Sequence, residues 1–282
     1  MLNFIIRSFN YKKWGNEYVK QRTNKINELY KWNNKKSIFI YILLRTIIII
    51  CMLREFWVGE IQNAVLCIFS LFLLILPFFI EKKFKIQIPT TIEIIIFLFI
   101  FSAEILGEIN NFYGLFKNFD TILHTTNGFL CASIGFSFVL MLSQKNILYL
   151  SPVFIVLISF CFSMTIGTVW EIFEYSMDNV IGTDMQKDEY VYNIKTVTLD
   201  ARKDNNVVSI KDIDHSILYD KNNNRLVRLE GYLDIGLHDT MNDLMVNFVG
   251  AFVFSVFGYL YTINKDKYKF VGDFITKKVL ND

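Results

Sequence analysis

Asp120 and His124, then Glu171, Glu174 and Asp178, then Asp239, Asp243 and Asn247 form three short polar stripes, each at one end of an otherwise apolar stretch. Carboxylate oxygens together with an imidazole nitrogen are the ligand set of Mg²⁺, Mn²⁺ or Zn²⁺. Packed carboxylates repel one another, so a cation or bound protons must neutralise them. An acid pair four residues apart, such as Asp239 and Asp243, can hold Mg²⁺ against a phosphate or diphosphate, where the metal polarises the phosphoryl oxygen. The expected metal ligands are Asp120, His124, Glu171, Glu174, Asp239 and Asp243. His124, Glu171 and Asp243 are the expected catalytic residues, with Glu108, Trp170 and Asn247 as substrate contacts. The substrate this chemistry suits is an envelope lipid or a lipid or polyprenyl phosphate, reached from the membrane plane. Two other classes stay open: a proton- or cation-coupled transporter using the same residues, and a membrane scaffold that binds a partner.

The elements that must position these groups are membrane spans. With 53% hydrophobic residues in 282, the chain exceeds what a soluble core of this size needs. Stretches of about 20 apolar residues, the length that crosses hydrocarbon as helix, run over 37–53, 57–80, 90–108, 120–142, 148–175 and 239–263. The expected fold is therefore an all-α polytopic membrane protein of about six transmembrane helices. The stretches 190–199, 206–213 and 225–233, rich in Val, Ile, Thr and Tyr, add a small antiparallel β-rich insertion between the fifth and sixth helices. The organisation that follows is a basic cytoplasmic arm over 1–36, five spans within 37–178, an extracytoplasmic cap over 179–238, a sixth span over 239–263 and a cytoplasmic tail over 264–282.

Charge sets the orientation. Nine Lys or Arg against two acids in residues 1–36 hold that arm in the cytoplasm, and Lys82, Lys83 and Lys85 fall inside after the second span. If every span crosses once, both termini are cytoplasmic and all three stripes face outward. The arm lacks the apolar core and cleavage site of a signal peptide, and its spaced Leu, Ile, Phe and Trp suit a helix on the inner leaflet or a partly ordered basic segment. A net charge of +2 gives no reason to expect nucleic acid. The four cysteines lie within apolar spans, which argues against disulfides and CxxC metal sites.

Residues three, four or seven apart share a helix face. Asp120, His124 and Gly128 form one such face; Asp178, Glu174, Glu171 and Gly167 form the second; Asp239, Asp243, Asn247 and Gly250 form the third. Each is polar above and glycine below. Small residues allow close approach of membrane helices, so three tightly packed spans beneath one polar vestibule are expected, with Glu104 and Glu108 at its edge. The blander roles are helix capping for Asp120 and Asp239, wet interface for Glu108, Glu174 and Asp178, and an aromatic-belt anchor for Trp170. His124, Glu171 and Asp243 sit a turn or more deeper, where a functional role fits better. Arg45, near the middle of the first span, needs a partner, with Glu93 and Glu104 the nearest in depth. Asp220, Asn222 and Asn224 start like a calcium loop, but Arg225 stands where glycine is required, so the segment reads as a polar hairpin turn.

Gly107-Glu108, Asp120-xxx-His124-xxx-Gly128, Trp170-Glu171-Ile172-Phe173-Glu174 and Asp239-Thr240-xx-Asp243-Leu244-xx-Asn247-xx-Gly250-Ala251, in that order, resemble the YjdF-like family of bacterial inner-membrane proteins. More distantly the pattern is similar to VanZ-like proteins. The resemblance spans roughly residues 100 to 260. It implies a multi-helix protein of the bacterial cytoplasmic membrane without an established activity, the VanZ-like members being linked to glycopeptide tolerance of the envelope. Between the Trp-Glu and Asp-Thr motifs the linker is longer than that pattern. Gly-x-Ser-x-Gly, Walker, His-Glu-xx-His and Gly-x-Gly-xx-Gly motifs are all missing, which disfavours ordinary lipases, ATP-driven pumps and zincins.

Overall fold

A computed structural model describes residues 35–144 and 150–278. Among these, five helices are long and apolar enough to cross a membrane: Lys35–Val58, Ile61–Phe84, Phe119–Ser143, Pro152–Ile181 and Leu237–Ile263. We label the first α1. The second is interrupted at Leu74 and Ile75, giving α2 (Ile61–Leu73) and α3 (Leu76–Phe84) with Pro77 in the first turn of α3. Proline lacks the N–H that would continue the ladder but is well placed in a first turn.

The span expected over 90–108 is the one that differs. It is α4 (Thr90–Ile100) running into a π-helix, Phe101–Ile109. The wider ring shows in the Asn110 amide donating to the Ile105 carbonyl five residues back, at 3.2 Å. Apolar composition carries no signal for this change of winding, and the α-helical part alone is 11 residues, too short to cross hydrocarbon at 1.5 Å per residue. A four-residue α5 (Phe112–Leu115) follows, and then α6 (Phe119–Gln144), α7 (Pro152–Ile181) and α8 (Leu237–Ile263). The arm over residues 1–34, the 145–149 segment and the last four residues lie outside the described residues.

The chain divides into two units. The first comprises Met1–Phe119, Ser137–Leu150 and Leu260–Asp282. Its core is Leu44, Ile48, Cys67, Leu74, Phe97 and Ile105, so α1, α2, α4 and the π-helix are joined by apolar packing. A short antiparallel pair joins β1 (Ile86–Gln87) to β8 (Lys277–Lys278). Ser37 donates to Glu93 at 2.7 Å. Arg45 does not form the expected ion pair with Glu93 or Glu104. It donates to the Tyr41 hydroxyl at 2.5 Å and lies 5.7 Å from the Tyr41 ring centroid. One helical turn supplies the partner that depth matching sought on another span.

The second unit comprises Asp120–Phe136 and Ser151–Tyr259, and so holds the N-terminal part of α6, all of α7, the β-rich insertion and most of α8. The insertion is antiparallel, as expected, in three two-stranded pairs: β2 (Glu189–Val191) with β7 (Tyr232–Asp234), β3 (Ile194–Thr196) with β4 (Val208–Ile210), and β5 (Ser216–Tyr219) with β6 (Arg225–Leu229). The β5–β6 turn is closed by Asp220, whose carboxylate accepts from the amides of Asn222 and Asn224 at 2.8 and 2.7 Å and from the Asn224 side chain at 2.9 Å. It is the polar hairpin expected. Its acidic oxygens serve the backbone.

Candidate functional site

Three glycines explain why α6, α7 and α8 can share a site. A Cβ on Gly128 would fall 2.1 Å from the Asn247 carbonyl oxygen, and one on Gly250 would fall 2.0 Å from that of Thr125. Helices α6 and α8 therefore touch backbone to backbone. A Cβ on Gly167 would meet the Asn247 amide nitrogen at 2.7 Å, so α7 leaves room for that side chain. Hydroxyls fasten the contact from α7: Ser163 donates to the Gly128 carbonyl at 2.8 Å and Ser159 to that of Ala132 at 2.5 Å. Such bonds and small residues replace the hydrophobic drive that hydrocarbon surroundings lack. Asn247, 1% exposed, accepts from Asn127 at 3.3 Å. It forms the polar floor of the cluster rather than an open substrate contact.

Above this floor the stripes converge. His124 Nε2 lies 3.5 Å from Asp120 Oδ1 and 3.6 Å from Asp243 Oδ2, and its Nδ1 lies 3.8 Å from Glu171 Oε1. These separations exceed ordinary hydrogen bonds of roughly 2.7–3.2 Å. The first two match the edge of a ligand tetrahedron, about 3.4 Å for donors near 2.1 Å from an ion. Asp120, His124 and Asp243 each offer an atom within 4.8 Å of the others, and so do Glu171, Glu174 and Asp243. Opposed ligands on a small divalent ion stand about 4.2 Å apart and adjacent ones about 3 Å, so either set closes on an ion only as its side chains draw inward.

Glu171, Glu174 and Asp243 are 5%, 7% and 4% exposed. Trp170 Nε1 donates to Glu174 Oε1 at 2.8 Å, while Glu174 Oε2 and Glu171 Oε2 are buried with no hydrogen-bond partner. A buried unpaired oxygen costs about 1–3 kcal/mol, more when it is charged. Trp170, expected as a substrate contact, thus braces a carboxylate while stacking tilted on Phe173, with ring centroids 5.4 Å apart.

Two acids of the stripes have structural partners. Asp178 accepts from the Thr183 hydroxyl and from the amides of Met185 and Gln186 at 2.7, 2.7 and 2.8 Å, stapling the loop that leaves α7. Asp239 accepts from the Lys187 amide at 2.7 Å, and Gln186 donates to Thr240 at 2.5 Å, tying that same loop to the start of α8. Asp239 is accordingly outside both sets of ligand atoms. Glu104 and Glu108 lie on the π-helix of the first unit and belong to neither set. Sequence spacing missed Gln186, which lies on the loop after α7 and so on no helix face, and it passed over Asn127, although that residue stands seven positions after Asp120 and three after His124 on the same face of α6. His215 and His238 are exposed, His215 bonding to Asp214 at 2.7 Å. That bond holds the Asp214 carboxyl below its usual range.

The model of a family described as a predicted membrane protein (DUF2238) matches residues 38–264, a range that includes the motifs read above. No curated protein and no solved structure matches the chain.

Proposed function

The chain belongs to the DUF2238 family of membrane proteins, and from that premise we propose that its α6–α7–α8 cluster is a divalent-cation site that binds, and acts on, the phosphate of an envelope lipid. The observation that carries the reading is the pair of buried, unpartnered glutamate oxygens beside a histidine whose neighbours stand at ligand-edge spacing. His124, Asp120 and Asp243 are the donors to the ion in this reading. Glu171 faces Nδ1 and orients the ring, as carboxylates do behind metal-bound histidines. An ion held there supplies an electrophile for a phosphoryl oxygen. With outward-facing stripes in a bacterial cytoplasmic membrane, the substrate enters from the outer leaflet. The VanZ-like likeness is compatible with an envelope substrate.

A transporter is the second reading, favoured by the π-helix at Phe101–Ile109, which carries Glu104 and Glu108. Irregular helices with acids accompany ion paths. The unbroken courses of α6, α7 and α8 favour the lipid-phosphate reading.

The test is retention of a polyprenyl phosphate by the full chain in nanodiscs, with and without a chelator, in wild type, His124→Ala and Asp243→Asn. Chelator-sensitive retention in wild type that both variants lose is the expected result. Wild-type protein that contains no stoichiometric metal and binds the lipid equally in chelator would overturn the proposal.

A further inference from the structure

We infer that the cluster holds two divalent cations rather than one, with Asp243 bridging them. The inference rests on the reading of the cluster as a cation site and adds its nuclearity. Asp243 is the single side chain common to the two sets of ligand atoms. One ion lies among Asp120, His124 and Asp243, and the other among Glu171, Glu174 and Asp243. A carboxylate has two oxygens and can give one to each ion, at the roughly 3.5–4 Å metal separation of two-ion phosphoryl-transfer sites.

Charge leads to the same count. Four carboxylates surround one imidazole, and among the described residues no Lys or Arg pairs with any of the four. A single divalent ion at the histidine would leave two of these negative charges uncompensated, and Glu171 and Glu174 are more than nine-tenths buried, each with an oxygen lacking any partner. Buried unpaired charge of that kind needs a counter-charge or a bound proton, and a proton would still leave Glu171 Oε2 and Glu174 Oε2 without a partner. A second ion balances all four and takes up the unpartnered oxygens. Two ions also suit the ligand class: they clamp a phosphate monoester or diphosphate across two oxygens, whereas one polarises a single oxygen.

The experiment loads the purified full chain in nanodiscs with Mn²⁺ alone, removes free ion, and reads manganese per chain together with the electron paramagnetic resonance spectrum. Two ions per chain with a spin-coupled spectrum are expected for wild type. Glu174→Gln, whose amide oxygen still accepts from Trp170, should bind one ion with the spectrum of an isolated Mn²⁺. One ion per chain in wild type overturns the bridged pair while leaving the cation site standing; none overturns both. Two ions retained by Glu174→Gln refute the ligand set assigned to the second ion, and two uncoupled ions in wild type refute the bridge at Asp243. The wild-type measurement decides the matter even if a variant fails to fold.

Discussion

Replacing Gly250 by alanine tests the contact that everything above it depends on. The new methyl would fall 2.0 Å from the Thr125 carbonyl oxygen and 2.9 Å from the Phe129 amide nitrogen, both backbone atoms that cannot rotate away. Ordinary contact begins near 3.4 Å, so α8 must retreat from α6 by about 1.4 Å. Overpacking of this kind costs about 3 kcal/mol, the upper part of the usual range, because no flexible side chain absorbs it. For a chain of this size that corresponds to a melting temperature lower by about 6–12 °C. The same retreat would stretch the 3.6 Å between His124 Nε2 and Asp243 Oδ2 towards about 5 Å, beyond what one small ion spans. Gly258→Ala is the internal control: its methyl meets only the edge of the Phe136 ring at 3.1 Å, and a tilt of that ring should hold the cost under about 1 kcal/mol. The assay is thermal unfolding of both variants in detergent, followed by intrinsic fluorescence. If Gly250→Ala melts within the error of Gly258→Ala, the backbone contact between α6 and α8 does not exist and the convergence of the stripes is wrongly drawn.

Asp178→Ala removes three hydrogen bonds from the loop after α7 and should lower stability by about 1–3 kcal/mol, yet leave bound manganese per chain unchanged. Loss of the ion would instead make Asp178 a ligand. In the insertion, Asp200 accepts from the amides of Arg202, Asp204 and Asn206, and these bonds, that of Asn206 foremost, hold its carboxyl below the ordinary 3.8. A depressed carboxyl contributes stability that is present above the unfolded value and lost as pH falls through the folded one. Amide exchange at residues 202–206 should accelerate below about pH 4 in wild type, whereas in Asp200→Asn it should show no such step. Topology is read by impermeant thiol labelling of intact cells. Lys221→Cys at the hairpin and Lys117→Cys should react, while Lys83→Cys is protected. Lys83 and Lys117 on one side would mean that the α4 and π-helical run does not cross.

Composition and periodicity by themselves determined that this is a membrane protein, where most of its long helices fall, that a β-rich insertion separates the last two, and which residues of each helix share a face. These are local properties: apolar run length reports the cost of burying backbone in hydrocarbon, and the 3.6-residue period assigns side chains to stripes without knowledge of any neighbour. Even the glycines beneath the stripes carried a true packing signal, because only a residue without Cβ permits the backbone contact seen at Gly128 and Gly250. Partners in space were not legible in this way. That Asp178 and Asp239 serve a loop while Glu171, Glu174 and Asp243 surround His124, and that Arg45 is met by Tyr41 rather than an acid, depends on how helices rotate and on where the Thr183–Lys187 segment returns. Identical carboxylates differ only in what the tertiary structure leaves beside them: backbone amides satisfy two of them, and burial without a donor leaves Glu171 and Glu174 each with an oxygen for a cation to claim.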